Sequence, residues 1–132
     1  MPKYSVKSSN ILRRAVPELQ LVCNELVLYF DNTVLCSYRD KAGQDAAVAS
    51  GASKTPWPTS KHNVMPSRAV DLRPYFAKEP HLRWEKEAFV YMAGHIIMIA
   101  HYRGIKLRWG GDWNLDNDPA DGWDWGHFEV LP

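Results

Sequence analysis

Pro56, Pro58 and Pro66 fall within Ala52–Ser67 among serines and threonines. Prolines that close together remove backbone donors and fix φ too often for a helix or strand to persist. A 132-residue chain broken in this way must build its core from the segments on either side and carry a long loop between them. Long loops in small domains are seldom idle.

The flanking segments read as short, distinct elements. From Pro17 to about Tyr29, Leu19, Val22, Cys23, Leu26 and Val27 recur at three- and four-residue spacing, and Pro17 suits a first helical turn. This predicts an amphipathic helix, with a short helical piece before it at Ile11–Ala15. Thr33–Tyr38 is rich in strand formers and follows the turn pair Asp31-Asn32. A helix over Asp40–Ser50 stops at Gly51. Beyond the loop come a strand at Ala69–Arg73 ended by Pro74, a long helix over His81–Tyr102 closed by Gly104, and strands at Ile105–Arg108 and Phe128–Leu131. Helices that separate about four short strands predict an α+β fold: a small antiparallel sheet with helices packed on one side, over residues 1–132 as a single domain.

Charge is unevenly placed. Residues 1–108 hold all 16 lysines and arginines against nine acids, whereas residues 109–132 hold six acids and no base. The tail attracts cations, and the basic remainder suits an anionic polymer such as a bacterial wall. No nucleic acid partner is expected, because no recognition motif or basic-aromatic run accompanies the charge. Met1–Asn10 lacks the apolar stretch of a secretory signal, so cytoplasmic synthesis is expected. Ala88–Ala100 is too short to span a bilayer and reads as a buried helix, which excludes stable membrane insertion. Cys23 and Cys36 are expected to be small buried hydrophobes rather than a disulfide.

Among five histidines, His95 and His101 lie six apart on the long helix and face different ways, and His81 opens that helix among charges. His62, after the flexible loop, and His127, beside Gly126 at the last strand, are the better ligands. With Asp71 they supply two imidazoles and a carboxylate, the set a catalytic zinc ion takes while keeping a fourth position open. No H-E-x-x-H is present, so a helix-borne zincin is not expected. By residue type and placement alone, a His–Asp pair is more often only hydrogen-bonded than metal-bound.

Ser60-x-His62, Ala69-x-Asp71 and Asp124-x-x-His127, in that order, resemble the zinc peptidases of bacterial cell-wall peptides, the D-alanyl-D-alanine peptidases with the hedgehog-like fold. Ser37-Tyr38-Arg39 with Gln44, and Leu107-Arg108-Trp109-Gly110-Gly111-Asp112-Trp113-Asn114, bring the chain nearest to the phage L-alanyl-D-glutamate endolysins. The family pattern S-x-H-x-x-G-x-A-x-D is lengthened here by Asn63–Ser67, with Pro66 and Ser67 in place of the glycine. The resemblance implies one Zn²⁺ on His62, Asp71 and His127, with Asp124 as the catalytic carboxylate, a position that is glutamate in many members. It implies that Arg39 stabilises the oxyanion, against the alternative of an ordinary salt bridge. Ser60, Gln44, Asp112 and Trp125 are the expected substrate contacts. Ser60 could equally cap its loop, and the cluster Trp109, Trp113, Trp123 and Trp125 could form a stacking wall or, for at least two of them, core.

The implied activity is a monomeric, phage-type endopeptidase acting on peptidoglycan peptide stems between L-alanine and D-glutamate, held in the cytoplasm until lysis. Three alternatives stand beside it: a D-alanyl-D-alanine carboxypeptidase, a non-catalytic wall-binding module, and a glycosidase built from two of Asp112, Asp116, Asp118, Asp121 and Asp124. A calcium loop at Asp112-x-Asn114-x-Asp116 is not expected, since Asn117 replaces the required glycine and Trp123 the bidentate glutamate.

Overall fold

The computed structural model describes residues 2–132. Helices α1 (Val6–Leu12) and α2 (Pro17–Tyr29) lead into β1 (Asn32–Cys36) and α3 (Lys41–Ala49). After the long loop and a 3-10 turn at Lys61–Asn63 come β2 (Ala69–Pro74), α4 (Lys86–Tyr102), β3 (Leu107–Trp109), a second 3-10 turn at Pro119–Asp121, and β4 (His127–Val130). The strands form one antiparallel sheet in the order β1-β2-β4-β3. This is the expected α+β arrangement.

The two-residue alternation of the strands sorts the sheet into an apolar and a polar face. Val70 and Leu72 of β2, Phe128 and Val130 of β4, and Trp109 of β3 point into the core. There they meet Leu19, Val22, Cys23 and Leu26 of α2 and Met92, Ala93 and Ile96 of α4. Asp71, His127, Glu129 and Arg108 alternate onto the opposite face. Register aligns them, with Asp71 opposite His127 and Arg108 opposite Glu129. A bulge between Val34 and Cys36 brings Cys36 opposite Asp71, which places one residue from each of β1, β2 and β4 in a single row. Helix α3 lies beside this polar face, where its Gln44 bonds to the proline-rich loop.

Several boundaries differ from the sequence expectation for identifiable reasons. The first helix begins earlier, at Val6, because the Ser5 side chain caps it by accepting from Ser8 N. The long helix begins at Lys86 rather than His81, since residues 81–83 are bound to the end of β2. Phe76 N donates to the His81 carbonyl at 2.7 Å, and Arg73 donates to the carbonyls of Leu82 and Arg83. His81 therefore opens no helix and stacks on Tyr75. Strand β1 stops at Cys36 because Ser37 turns away, its hydroxyl donating to the Ile11 carbonyl at 2.6 Å. Asp40 caps α3 through Gly43 N, and Gly51 follows that helix with φ of +81°. Both cysteines are free, and among the described residues no helix is long and apolar enough to cross a membrane.

Phe128 is 0% exposed at the centre of the core, where it stacks on Trp109. Phe128→Ala is expected to destabilise the protein by about 3–5 kcal/mol in chemical denaturation; a loss below about 1 kcal/mol would show that this contact does not hold the sheet on its helices.

Candidate active site

The long loop ends in a turn built to present one imidazole. The Ser60 hydroxyl accepts from His62 N, and Asn63 Oδ1 accepts from Ser60 N, so the two ends of the 3-10 turn cap each other. The His62 carbonyl accepts from Arg39 N at 2.7 Å, tying the turn to the chain leaving β1. His62 Nδ1 lies 2.6 Å from the Ser37 carbonyl. A carbonyl can only accept, so Nδ1 carries a hydrogen and Nε2 faces outward.

His127 is fixed from its own strand and the neighbouring β3, on the same face of the sheet. Its Nε2 lies 2.9 Å from Glu129 Oε1, while Glu129 Oε2 accepts from Arg108 Nη2 at 2.9 Å. The carboxylate holds the hydrogen on Nε2 and leaves Nδ1 free. His62 Nε2, His127 Nδ1 and Asp71 Oδ1 then converge, each 3.3 Å from the other two. Ligands at about 2.0–2.1 Å from a tetrahedral ion stand about 3.3–3.4 Å apart. The triangle has the dimensions of three corners of such a site, and its fourth side opens on the cleft.

Electrostatics agree with the geometry. Two neutral imidazoles would aim lone pairs at each other and at a carboxylate, so the cluster needs positive charge at its centre. Burial opposes charging His62, but the Asp71 charge and hydrogen bond outweigh it and raise its pKa to about 10. Burial likewise opposes charging His127, yet its hydrogen bonds to Asp71 and Glu129 raise it to about 9. Asp71, despite burial, is held well below the usual carboxylate range by the two imidazoles. A metal ion and these protons compete for the same three atoms.

Cys36 offers a rival donor. With His62 and Asp71 it forms a group that could hold a metal ion, the ligand atoms lying within 4.8 Å of one another. The thiol is thus not the inert buried hydrophobe expected from sequence, since the bulge in β1 turns it toward Asp71 and His62. Its sulfur sits 3.9 Å from His62 Nδ1, the nitrogen already given to Ser37, and so lies behind the ring rather than at the triangle.

Asp124 stands just outside the three donors, with Oδ2 3.9 Å from His127 Nδ1. Burial, and then the Asp71 charge, raise its pKa above the ordinary carboxylate value. Its place is set by main-chain packing. Asp124 N donates to the Gly110 carbonyl at 3.1 Å, and a Cβ on Gly110 would strike the Asp124 carbonyl, so only glycine fits there. Arg39 reaches the site between partners, Nη1 donating to Gln44 Oε1 at 3.0 Å and Nη2 to Asp71 Oδ2 at 3.3 Å.

These side chains border one cleft of about 730 Å³, lined also by Ser60, Trp84, Trp113, Trp123 and Trp125. Trp109 belongs to the core, and its indole donates to the Trp125 carbonyl at 2.7 Å. Two expected substrate contacts are corrected. Gln44 is 0% exposed, its amide spent on Arg39, Asn63, Ser53 and Thr55, so it acts on Arg39 and not on a ligand. Asp112 faces its own loop, both oxygens accepting from Asp116 N and Asn117 N, which is the turn role of the Asp/Asn run. Ser60 and Trp125 do border the cleft, although the serine hydroxyl also caps its turn. Glu129 escaped the sequence reading; the signal available was its spacing of two from His127, which puts both on one strand face.

The model of a protein family described as phage L-alanyl-D-glutamate peptidase matches residues 1–131. The L-alanyl-D-glutamate peptidase of Escherichia phage T5 is 30% identical over 137 residues, covering 98% of each chain. Among solved structures, the Serratia marcescens L-Ala D-Glu endopeptidase ChiX matches with a TM-score of 0.75 at 26% identity, over 97% of this chain and 89% of that one.

If Glu129 fixes the free nitrogen of His127, Glu129→Gln should weaken zinc binding by about 10–100-fold in competition with a chelator. An unchanged affinity would mean that this carboxylate only balances the Arg108 charge.

Proposed function

The chain belongs to the phage L-alanyl-D-glutamate peptidase family, and from that premise we propose that it is a zinc-dependent endopeptidase of bacterial cell-wall stem peptides. Its bond would be that between L-alanine and D-glutamate, and residues 1–132 would act as one monomeric catalytic domain. The observation that supports this reading is the 3.3 Å triangle of His62 Nε2, Asp71 Oδ1 and His127 Nδ1 at the floor of an open cleft. His62, Asp71 and His127 would hold a single Zn²⁺. When bound, the ion supplies Lewis acidity, lowering the pKa of water toward neutrality and polarising a carbonyl.

The remaining chemistry falls to the chain. Asp124, whose Oδ2 lies 3.9 Å from His127 Nδ1 and outside the 3.3 Å triangle, would take a proton from the attacking water and return it to the leaving amine. Its raised pKa brings it nearer to working pH, as a group that must both accept and donate requires. Arg39, held by Gln44 and Asp71 at the cleft edge, presents a permanent positive charge where negative charge develops on the scissile carbonyl. Accumulation in the cytoplasm of an infected host, with later release to the wall, completes the endolysin reading.

Incubation with purified muropeptides, followed by mass spectrometry of the new termini, should give free L-alanyl ends and N-terminal D-glutamate. Loss of a terminal D-alanine alone would instead identify a carboxypeptidase, and intact stems a binding module. A chelator should abolish the activity and zinc restore it. Asp124→Asn is expected to keep the metal while losing about 10²–10⁴-fold in rate, whereas His127→Ala should lose both. An active Asp124→Asn enzyme would remove that residue from proton transfer.

A further inference from the structure

One aromatic at the lip of the cleft serves neither the core nor the proposed chemistry. Trp84 borders the cleft beside Phe89 and Trp125, just before α4, and is 64% exposed. It is nevertheless held in place. The Arg73 guanidinium lies 3.6 Å from its ring centroid, fixed in turn by donating to the carbonyls of Arg83 at 3.4 Å and Leu82 at 3.2 Å. Phe89 lies alongside, with ring centroids 6.1 Å apart and planes 28° from parallel. An ordered, exposed indole offers apolar contact area with little side-chain entropy left to lose on binding.

The chemistry of the substrate suggests what would cover it. Alanine and glutamate, the residues on either side of the proposed scissile bond, are small or charged and give a tryptophan little to stack against. The first stem residue, however, is joined through its amino group to an amino sugar of the glycan strand. One extended residue spans about 3.3–3.6 Å, so a sugar attached one residue before the cut bond stays within reach of the residues that line the cleft, Trp84 among them. A pyranose ring has a C–H-rich face that matches an indole and a polar rim that can remain in water. The wall polymer, rather than an apolar side chain, is the partner with a flat surface to offer there.

We propose that Trp84, backed by Arg73, is a stacking platform for the amino sugar that bears the stem peptide, so that the cleft reads glycan as well as peptide. The proposal rests on the peptidase reading for its geometry. Its test does not need hydrolysis: the protein is titrated with the peptide-free disaccharide of N-acetylglucosamine and N-acetylmuramic acid, following the backbone amide signals of residues 82–89 by NMR in parent and variants, and the Trp84 indole N–H in the parent. Saturable shifts of those signals are expected, with affinity at least tenfold weaker in Trp84→Ala and partly recovered in Trp84→Phe. Tyr102, 82% exposed at the end of α4 and not bordering the cleft, provides the control, and Tyr102→Ala should bind as the parent does. No saturable shift in the parent, or parent affinity in Trp84→Ala, would overturn the platform. Failure of the peptidase reading is separately visible as uncut stems in the muropeptide digest.

Discussion

Three donor atoms at mutual distances of 3.3 Å, on side chains from a loop turn and two strands, set the terms for the rest of the molecule. Left neutral, the two imidazoles and the carboxylate would direct electron pairs at one another in a half-buried place. The fold maintains this arrangement because each imidazole is anchored on its far side, His62 by the Ser37 carbonyl and His127 by Glu129. Such outer anchors fix which nitrogen faces inward, and they are what turns a cluster of ligating residues into a site of definite geometry.

The sheet makes this economical. Antiparallel pairing puts Asp71 directly opposite His127, and the two-residue alternation that sends Val70, Leu72 and Phe128 into the core sends Asp71, His127 and Glu129 to the cleft. Burial of the apolar face thereby fixes the polar face, since a one-residue slip in β2 or β4 would exchange the two. Outside the sheet, Gly110 seats Asp124 through main-chain contact, and Gln44 holds Arg39 from within α3. The proline-rich loop returns to this same face, delivering His62 on a turn that Ser60 and Asn63 cap.

Much of this was legible in the sequence, and the limits are physical. Helix α2 was clear because its apolar spacing and Pro17 agree, and the antiparallel sheet followed from short strand-like runs separated by helices. The start of α4 was not, because residues 81–83 are held by hydrogen bonds to Phe76 and Arg73, and tertiary contacts of this kind leave no local periodicity. Motif order and spacing pointed to His62, Asp71 and His127, and the fold brings one atom of each within 3.3 Å of the other two. The resemblance offered Gln44 and Asp112 as substrate contacts, but a motif position gives no sign of whether a polar side chain faces ligand, core or its own loop, and here one is buried and the other turned into its loop. Cys36 reads as a small buried hydrophobe for a similar reason: only the bulge in β1 turns it toward Asp71. Glu129 was within reach, two residues from His127 on a strand already expected.

Zinc K-edge X-ray absorption on the protein after addition of stoichiometric zinc measures directly which atoms would face the proposed ion. The geometry predicts a shell of nitrogen and oxygen alone, two of its members imidazole, at about 2.0–2.1 Å. A sulfur scatterer at about 2.3 Å would contradict it, placing Cys36 in the shell and His127 outside.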